Sequence, residues 1–148
     1  MQLVQIVYQS RATVPLAADE LQQLLGRWRR HNQREHISGL LLYGDEDIVQ
    51  VLEGPAPAVH RLYDTIAADA RHHDVLTLAD GRVRQRAFAD WSMGFAWFEP
   101  ALRQHLAGYV GRPDAPGSLP DEPRAWPELT TMLRDFVSQQ QPVLQEKL

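Results

Sequence analysis

Apolar residues along the chain recur with two periods, and the switches between them lay out the elements. Leu3-Val4-Gln5-Ile6-Val7-Tyr8 alternates as a strand, with Val4, Ile6 and Tyr8 on one face and Ser10 following on it. From Leu16 to about Asn32 the period lengthens. Leu21, Leu24, Leu25 and Trp28 fall at i, i+3, i+4 and i+7, which predicts an amphipathic helix. Pro15 and the acidic pair Asp19-Glu20 suit its start. Ile37–Tyr43 and Ile48–Leu52 are apolar runs around Gly44-Asp45-Glu46-Asp47, a β-hairpin signal. Gly54-Pro55-Ala56-Pro57 ends the second run and opens another helix, whose stripe is Val59, Leu62, Ile66 and Ala70, with Asp69 at its border and Arg71-His72-His73 at its end.

The later elements follow the same logic. Val75–Leu78 with Val83 predicts a fourth strand, interrupted near Asp80-Gly81. Trp91–Trp97 predicts a fifth, whose alternation puts Trp91, Met93, Phe95 and Trp97 on one face. Pro100 ends it, and Leu102, Leu106 and Tyr109 suggest a short helix. Gly111–Pro123, rich in proline, reads as a loop or linker. Pro127 opens a last helix with Leu129, Met132, Leu133, Phe136 and Val137 as its stripe, frayed after Ser138. The order β-α-β-β-α-β-β, then helices, predicts a ferredoxin-like α/β sandwich, βαββαβ with an added strand and C-terminal helices.

One polar position stands out against this pattern. Gln50 shares a strand face with Ile48 and Leu52, while Val49 and Val51 take the other. Both faces are apolar, so layers are expected on both sides of the sheet. A buried amide needs partners, since leaving it unpaired costs about 1–3 kcal/mol. In a ferredoxin-like sheet the first and third strands are central neighbours, so Tyr8 can lie beside Gln50. Asn32 extends the buried stripe of the first helix and reads either as a C-cap or as a ligand-binding amide. With Asp69 and an arginine, these groups converge on a groove between the two helices, the usual make-up of a small-molecule site.

Composition narrows the classes. The chain has 148 residues and a formal net charge of −4, so one domain is expected, without general attraction to nucleic acid or anionic membrane. Arg27, Arg29, Arg30 and His31 read as complements to a helix C-terminal dipole. The cysteine count is 0, which removes disulfides, thiolate metal sites and cysteine nucleophiles, and suits a cytoplasmic protein. His72-His73 lacks partners at a diagnostic metal-binding spacing. MQLVQIVYQS reads as a first strand and not as a signal peptide, and no apolar run approaches the ~18 residues of a membrane span. Residues 99–148 carry no phosphate loop, metal cluster or nucleophile motif, so no enzyme is expected there.

The motifs Tyr8-x-Ser10, Arg29-x-x-Asn32, Ile37-Ser38-Gly39-Leu40-Leu41, Gln50-x-Leu52-Glu53-Gly54, Asp69-x-Arg71-His72 and Trp91-Ser92-Met93 together resemble the BLUF domain, a blue-light sensor that uses FAD. The resemblance covers residues 1–98 as a flavin-binding sensor, with 99–148 as a helical C-terminal extension that contains the proline-rich linker. It implies an isoalloxazine ring between the two helices. Asn32, Asp69 and Arg71 would bind its polar edge, and Gln50 would bridge it to Tyr8. Ser10, Trp28, His31 and Ile66 would complete the surroundings. FAD is the implied cofactor, with FMN or riboflavin as substitutes in recombinant protein. It further implies that blue light moves an electron and a proton from Tyr8, rearranges the Gln50 amide and shifts absorption slightly to the red. Trp91 and Met93 would carry the change outward to a protein effector or a homo-oligomer interface. Trp28 stands where the family commonly has a small residue, and Ile48 where it often has Phe. On the inward stripe, Trp28 can crowd the ring or compete as an electron donor. The rival reading is a flavin-free ferredoxin-like module that binds another ligand or acts as a dimerising adaptor.

Overall fold

The computed structural model describes residues 2–110 and 124–139; the linker 111–123 and the end 140–148 lie outside the described residues. Its elements are β1 (Leu3–Ala12), α1 (Ala18–Glu35), β2 (Ser38–Gly44), β3 (Asp47–Pro55), α2 (Ala56–Ala67), β4 (His72–Val83), β5 (Gly94–Trp97), α3 (Pro100–Val110) and α4 (Pro127–Ser138). The sheet order is β4-β1-β3-β2-β5. The first four strands are antiparallel, as a βαββαβ chain requires, and β5 adds in parallel beside β2. The ferredoxin-like expectation and its added strand both stand.

The β2–β3 turn consists of Asp45 and Glu46, both with positive φ (48° and 73°), the backbone that matches the twist of a two-residue hairpin. Arg11 and Arg103 place guanidinium groups against its acidic side chains, which offsets the charge crowded into the turn. α1 runs past Asn32 to Glu35 and closes on His36 in the left-handed region (φ 60°), with Ile37 N–H donating to the Asn32 carbonyl at 2.8 Å. Asn32 is therefore inside the last turn, and the C-cap alternative falls.

Three sequence expectations need correction. β4 is continuous through Asp80-Gly81. Gly81 serves close approach instead of a break, because a Cβ there would sit 2.4 Å from the Ala125 backbone nitrogen. α2 stops at Ala67, so Asp69 lies in the connection to β4 and not on a helix, and His72-His73 begin the strand. Finally, β5 starts only at Gly94, and residues 92–93 form a bend. The bend breaks the alternation, and Trp91 falls on the opposite face from Met93 and Phe95.

Both faces of the sheet are covered. One carries Val4, Ile6, Leu52, Met93 and Phe95 with Leu21, Leu25, Val59 and Leu62 of α1 and α2. The other carries Leu40, Leu42, Val49 and Val51 under Leu102 and Leu106 of α3 and Leu129, Leu133 and Val137 of α4. The C-terminal helices thus supply the second layer that the two-sided strands demanded.

Candidate functional site

Strand register builds the floor of the site. Thr77, Tyr8, Gln50, Leu41 and Phe95 are successive partners across the sheet and form one row under α1 and α2. Between this floor and the helices lies a cavity of about 630 Å³. Tyr8, Gln50, Asn32, Asp69, Arg71, His31, Trp28, Ile66 and Met93 line it, among them the residues singled out for a groove in the sequence. Two singled-out residues are elsewhere. Ser10 bonds His72 Nδ1 at 2.8 Å and is not in the lining. Trp91 lies across the sheet, stacked on Phe88 at 5.6 Å between ring centroids.

The buried polar groups form one chain. The Tyr8 hydroxyl donates to Gln50 Oε1. Gln50 Nε2 donates to the Met93 sulfur at 3.5 Å, and a thioether is a weak acceptor. The second N–H of that amide has no acceptor among the described residues. Asn32 Nδ2 donates to the Ser92 carbonyl at 2.8 Å, and Arg29 Nε to the Met93 carbonyl at 2.9 Å. α1 therefore grips the bend by both carbonyls and aims Met93 at Gln50. Burial pushes the Tyr8 phenol far above its ordinary range, with further upward pressure from Tyr63 and Asp69. It stays neutral and keeps its proton for the bond to Gln50.

Charged groups gather where the cavity opens. Arg71 closes on Asp69 through Nε at 3.0 Å, NH2 at 2.6 Å and the backbone N–H at 2.9 Å. These bonds, the side-chain ones foremost, hold the Asp69 carboxyl at about 2. His72 Nε2 reaches the Ile66 carbonyl at 2.6 Å, so that nitrogen carries the proton and Nδ1 faces the Ser10 hydroxyl. Tyr63, missed in the sequence, meets the Tyr8 ring at 5.5 Å and ties its hydroxyl to Thr77.

Beneath the opposite face sits a second polar cluster. Glu53 is fully buried. It accepts from Gln5 Nε2 (3.0 Å), Ser38 Oγ (3.0 Å), Ala87 N–H (2.9 Å) and Phe88 N–H (2.6 Å). Arg134 of α4 donates to the Ala87 carbonyl and lies 5.2 Å over the Trp91 ring. Residues 87–93 thus run from the α4 contact to the cavity floor.

The donor set suits a flat heteroaromatic ring with alternating acceptors and donors on its edge, as a flavin has. A spare amide N–H at Gln50, an Asn32 amide and a neutral phenol border an apolar slot. Among the described residues no group of three or more His, Asp or Glu could hold a metal ion, and no helix is long and apolar enough to cross a membrane.

Comparison with known proteins identifies the family. Residues 3–94 match the family described as BLUF, sensors of blue-light using FAD. The photoactivated adenylate cyclase subunit beta of Euglena longa is 37% identical over 92 residues, which are 62% of this chain and 11% of that protein. The chain therefore spans only a small part of such curated relatives. The solved dark-state structure of BlrB, a BLUF protein, matches with a TM-score of 0.69 at 30% identity, covering 93% of this chain and 96% of that one. BlrP1 of Klebsiella pneumoniae, solved with FMN and cyclic diGMP, matches with a TM-score of 0.64 at 26% identity over 92% of this chain and 34% of that one.

Proposed function

The chain belongs to the BLUF family of blue-light sensors, and on that premise we propose that it is a cytoplasmic photoreceptor that takes FAD into the cavity between α1 and α2 and signals to a protein partner or a second copy of itself. The observation that carries this reading is the Tyr8–Gln50–Met93 chain on the cavity floor. The bound flavin would supply absorption of blue light and, when excited, an acceptor for one electron. Tyr8 is the adjacent donor. Loss of an electron makes the phenol strongly acidic, and Gln50 Oε1 already accepts its hydrogen bond. Gln50 can change partners because its amide has a donor end and an acceptor end. In the state described here its oxygen is held by Tyr8 and its nitrogen only by a sulfur. Rotation of that amide would turn its N–H toward Tyr8 and its oxygen toward the Met93 sulfur, which has no hydrogen to give, so the bond to Met93 would be lost and Met93 would be the first group to feel the change. Asn32, Asp69 and Arg71 would hold the polar edge of the ring, with Trp28, His31 and Ile66 around it.

Output follows from where residues 87–93 lead. Met93 touches Gln50 on one face, and Trp91 touches Arg134 of α4 on the other. A shift of this segment reaches α4 through that guanidinium. Removing residues 100–148 would strip the cover from Leu40, Leu42, Val49 and Val51, so Arg134→Gln is the cleaner test of the route. The visible spectrum of the protein loaded with FAD, before and after blue light, tests the reading. A reversible small red shift is expected, and Gln50→Leu should bind flavin yet lose the shift completely. A protein that stays colourless with FAD overturns the proposal in favour of the flavin-free module.

A further inference from the structure

The cavity has a chemically distinct opening. Its buried polar lining, Tyr8, Gln50 and Asn32, marks the bottom. Its exposed lining marks the mouth, with Arg27 on α1 and Arg61 on α2 on its two sides. In a chain of net charge −4, two guanidinium groups on facing helices at one opening are a local reversal of sign. Neither is committed elsewhere. Arg27 has no hydrogen bond or ion pair among the described residues. Arg61 has a single contact to Glu35 of α1, at 3.7 Å with the arginine side chain 70% exposed. Such a pair is weak and readily exchanged. Guanidinium groups match phosphate oxygens by paired, charge-assisted hydrogen bonds. Arg71 is different, because Asp69 already occupies it.

We infer that Arg27 and Arg61 form an anion subsite for the phosphorylated tail of the flavin, so that the chain selects phosphorylated flavins over riboflavin. The inference rests on the proposed flavin function. The tail of a ring seated on the Tyr8–Gln50 floor would leave past the exposed lining, where its phosphates would come within reach of the two arginines. Glu35 is the competing anion. It pairs with Arg61 and would repel an incoming phosphate, so it tunes affinity in the opposite sense to Arg27 and Arg61.

The experiment is titration of the flavin-free full chain with riboflavin, FMN and FAD at low and high salt, read by flavin fluorescence. FMN and FAD should bind more tightly than riboflavin at low salt, with the gap closing as salt screens the exposed charges. Arg27→Gln and Arg61→Gln should each lower FAD affinity about fivefold and leave riboflavin affinity unchanged. Glu35→Gln should raise FAD affinity and not riboflavin affinity. Equal affinity for all three flavins, or arginine variants that weaken riboflavin as much as FAD, overturns the subsite while leaving the ring site standing. Binding of none of the three overturns the flavin reading itself.

Discussion

Gln50 and Glu53 sit three residues apart on β3 and face opposite sides of the sheet. Gln50 looks into a cavity, its oxygen on Tyr8 and its nitrogen on a weak sulfur acceptor. Glu53 is enclosed, and four donors saturate its two oxygens. One strand therefore carries one polar group that can exchange partners and one that cannot. The difference teaches where change can begin. A group with unused hydrogen-bonding capacity facing a ligand cavity can take an alternative partner. A saturated buried group has none, because each abandoned donor costs about 1–3 kcal/mol. Glu53 and the apolar contacts around it are thus the frame of the fold, and change can begin only on the Gln50 side, from which residues 87–93 would carry it to Arg134.

The largest effect expected from attacking the frame is on stability. Leu133→Ala empties a fully buried position of α4 and should cost about 2–5 kcal/mol in denaturant unfolding, yet leave the flavin spectrum and its light shift unchanged. Next comes Glu53→Gln, which sets a new N–H against donors already facing that oxygen and should cost about 2 kcal/mol. Because Glu53 fixes the segment that ends at Ser92 and Met93, this variant should also alter the size of the light shift or its dark recovery. A Glu53→Gln protein with lowered stability and an unaltered photocycle would break the idea of a frame connected to the site. The smallest effect belongs to the rim. The Asp69 carboxyl is held at about 2 by Arg71, below its unfolded value of about 3.9. Its contribution is present above pH ~4 and is lost as pH falls toward 2. The pair is partly exposed and screened, so Asp69→Asn should lower stability by less than about 1 kcal/mol at neutral pH. The melting temperatures of variant and parent should converge near pH 2.

The sequence was informative wherever period and strand order sufficed. Tyr8 beside Gln50 follows from the alternation of two strands and their central places in a ferredoxin-like sheet. The two-sided apolar character of β2 and β3 announced a second layer, and α3 and α4 supply it. What failed were breaks in regularity that leave no mark in composition. The bend at 92–93 turns Trp91 away from Met93, but Trp-Ser-Met-Gly-Phe reads as unbroken alternation. α2 stops at Ala67 although Asp69 and Ala70 continue its stripe. Gly81 resembled an interruption because its partner, Ala125, lies far along the chain. Arg61 at the mouth had no local signature, since exposed arginines on helices are common.

The floor of the site joins positions 8 and 50, 50 and 93, and 32 and 92, separations of 42, 43 and 60 residues. Such long loops must close before these contacts repay their entropy. No short fragment of the chain can form the cavity, which is complete only when the 92–93 bend has docked on α1. Ligand that binds only this closed form draws the folding equilibrium toward it by mass action. Capture of the chromophore by a refolding chain would then report the moment of closure, making flavin uptake an optical clock for the last long-range step in the assembly of the fold.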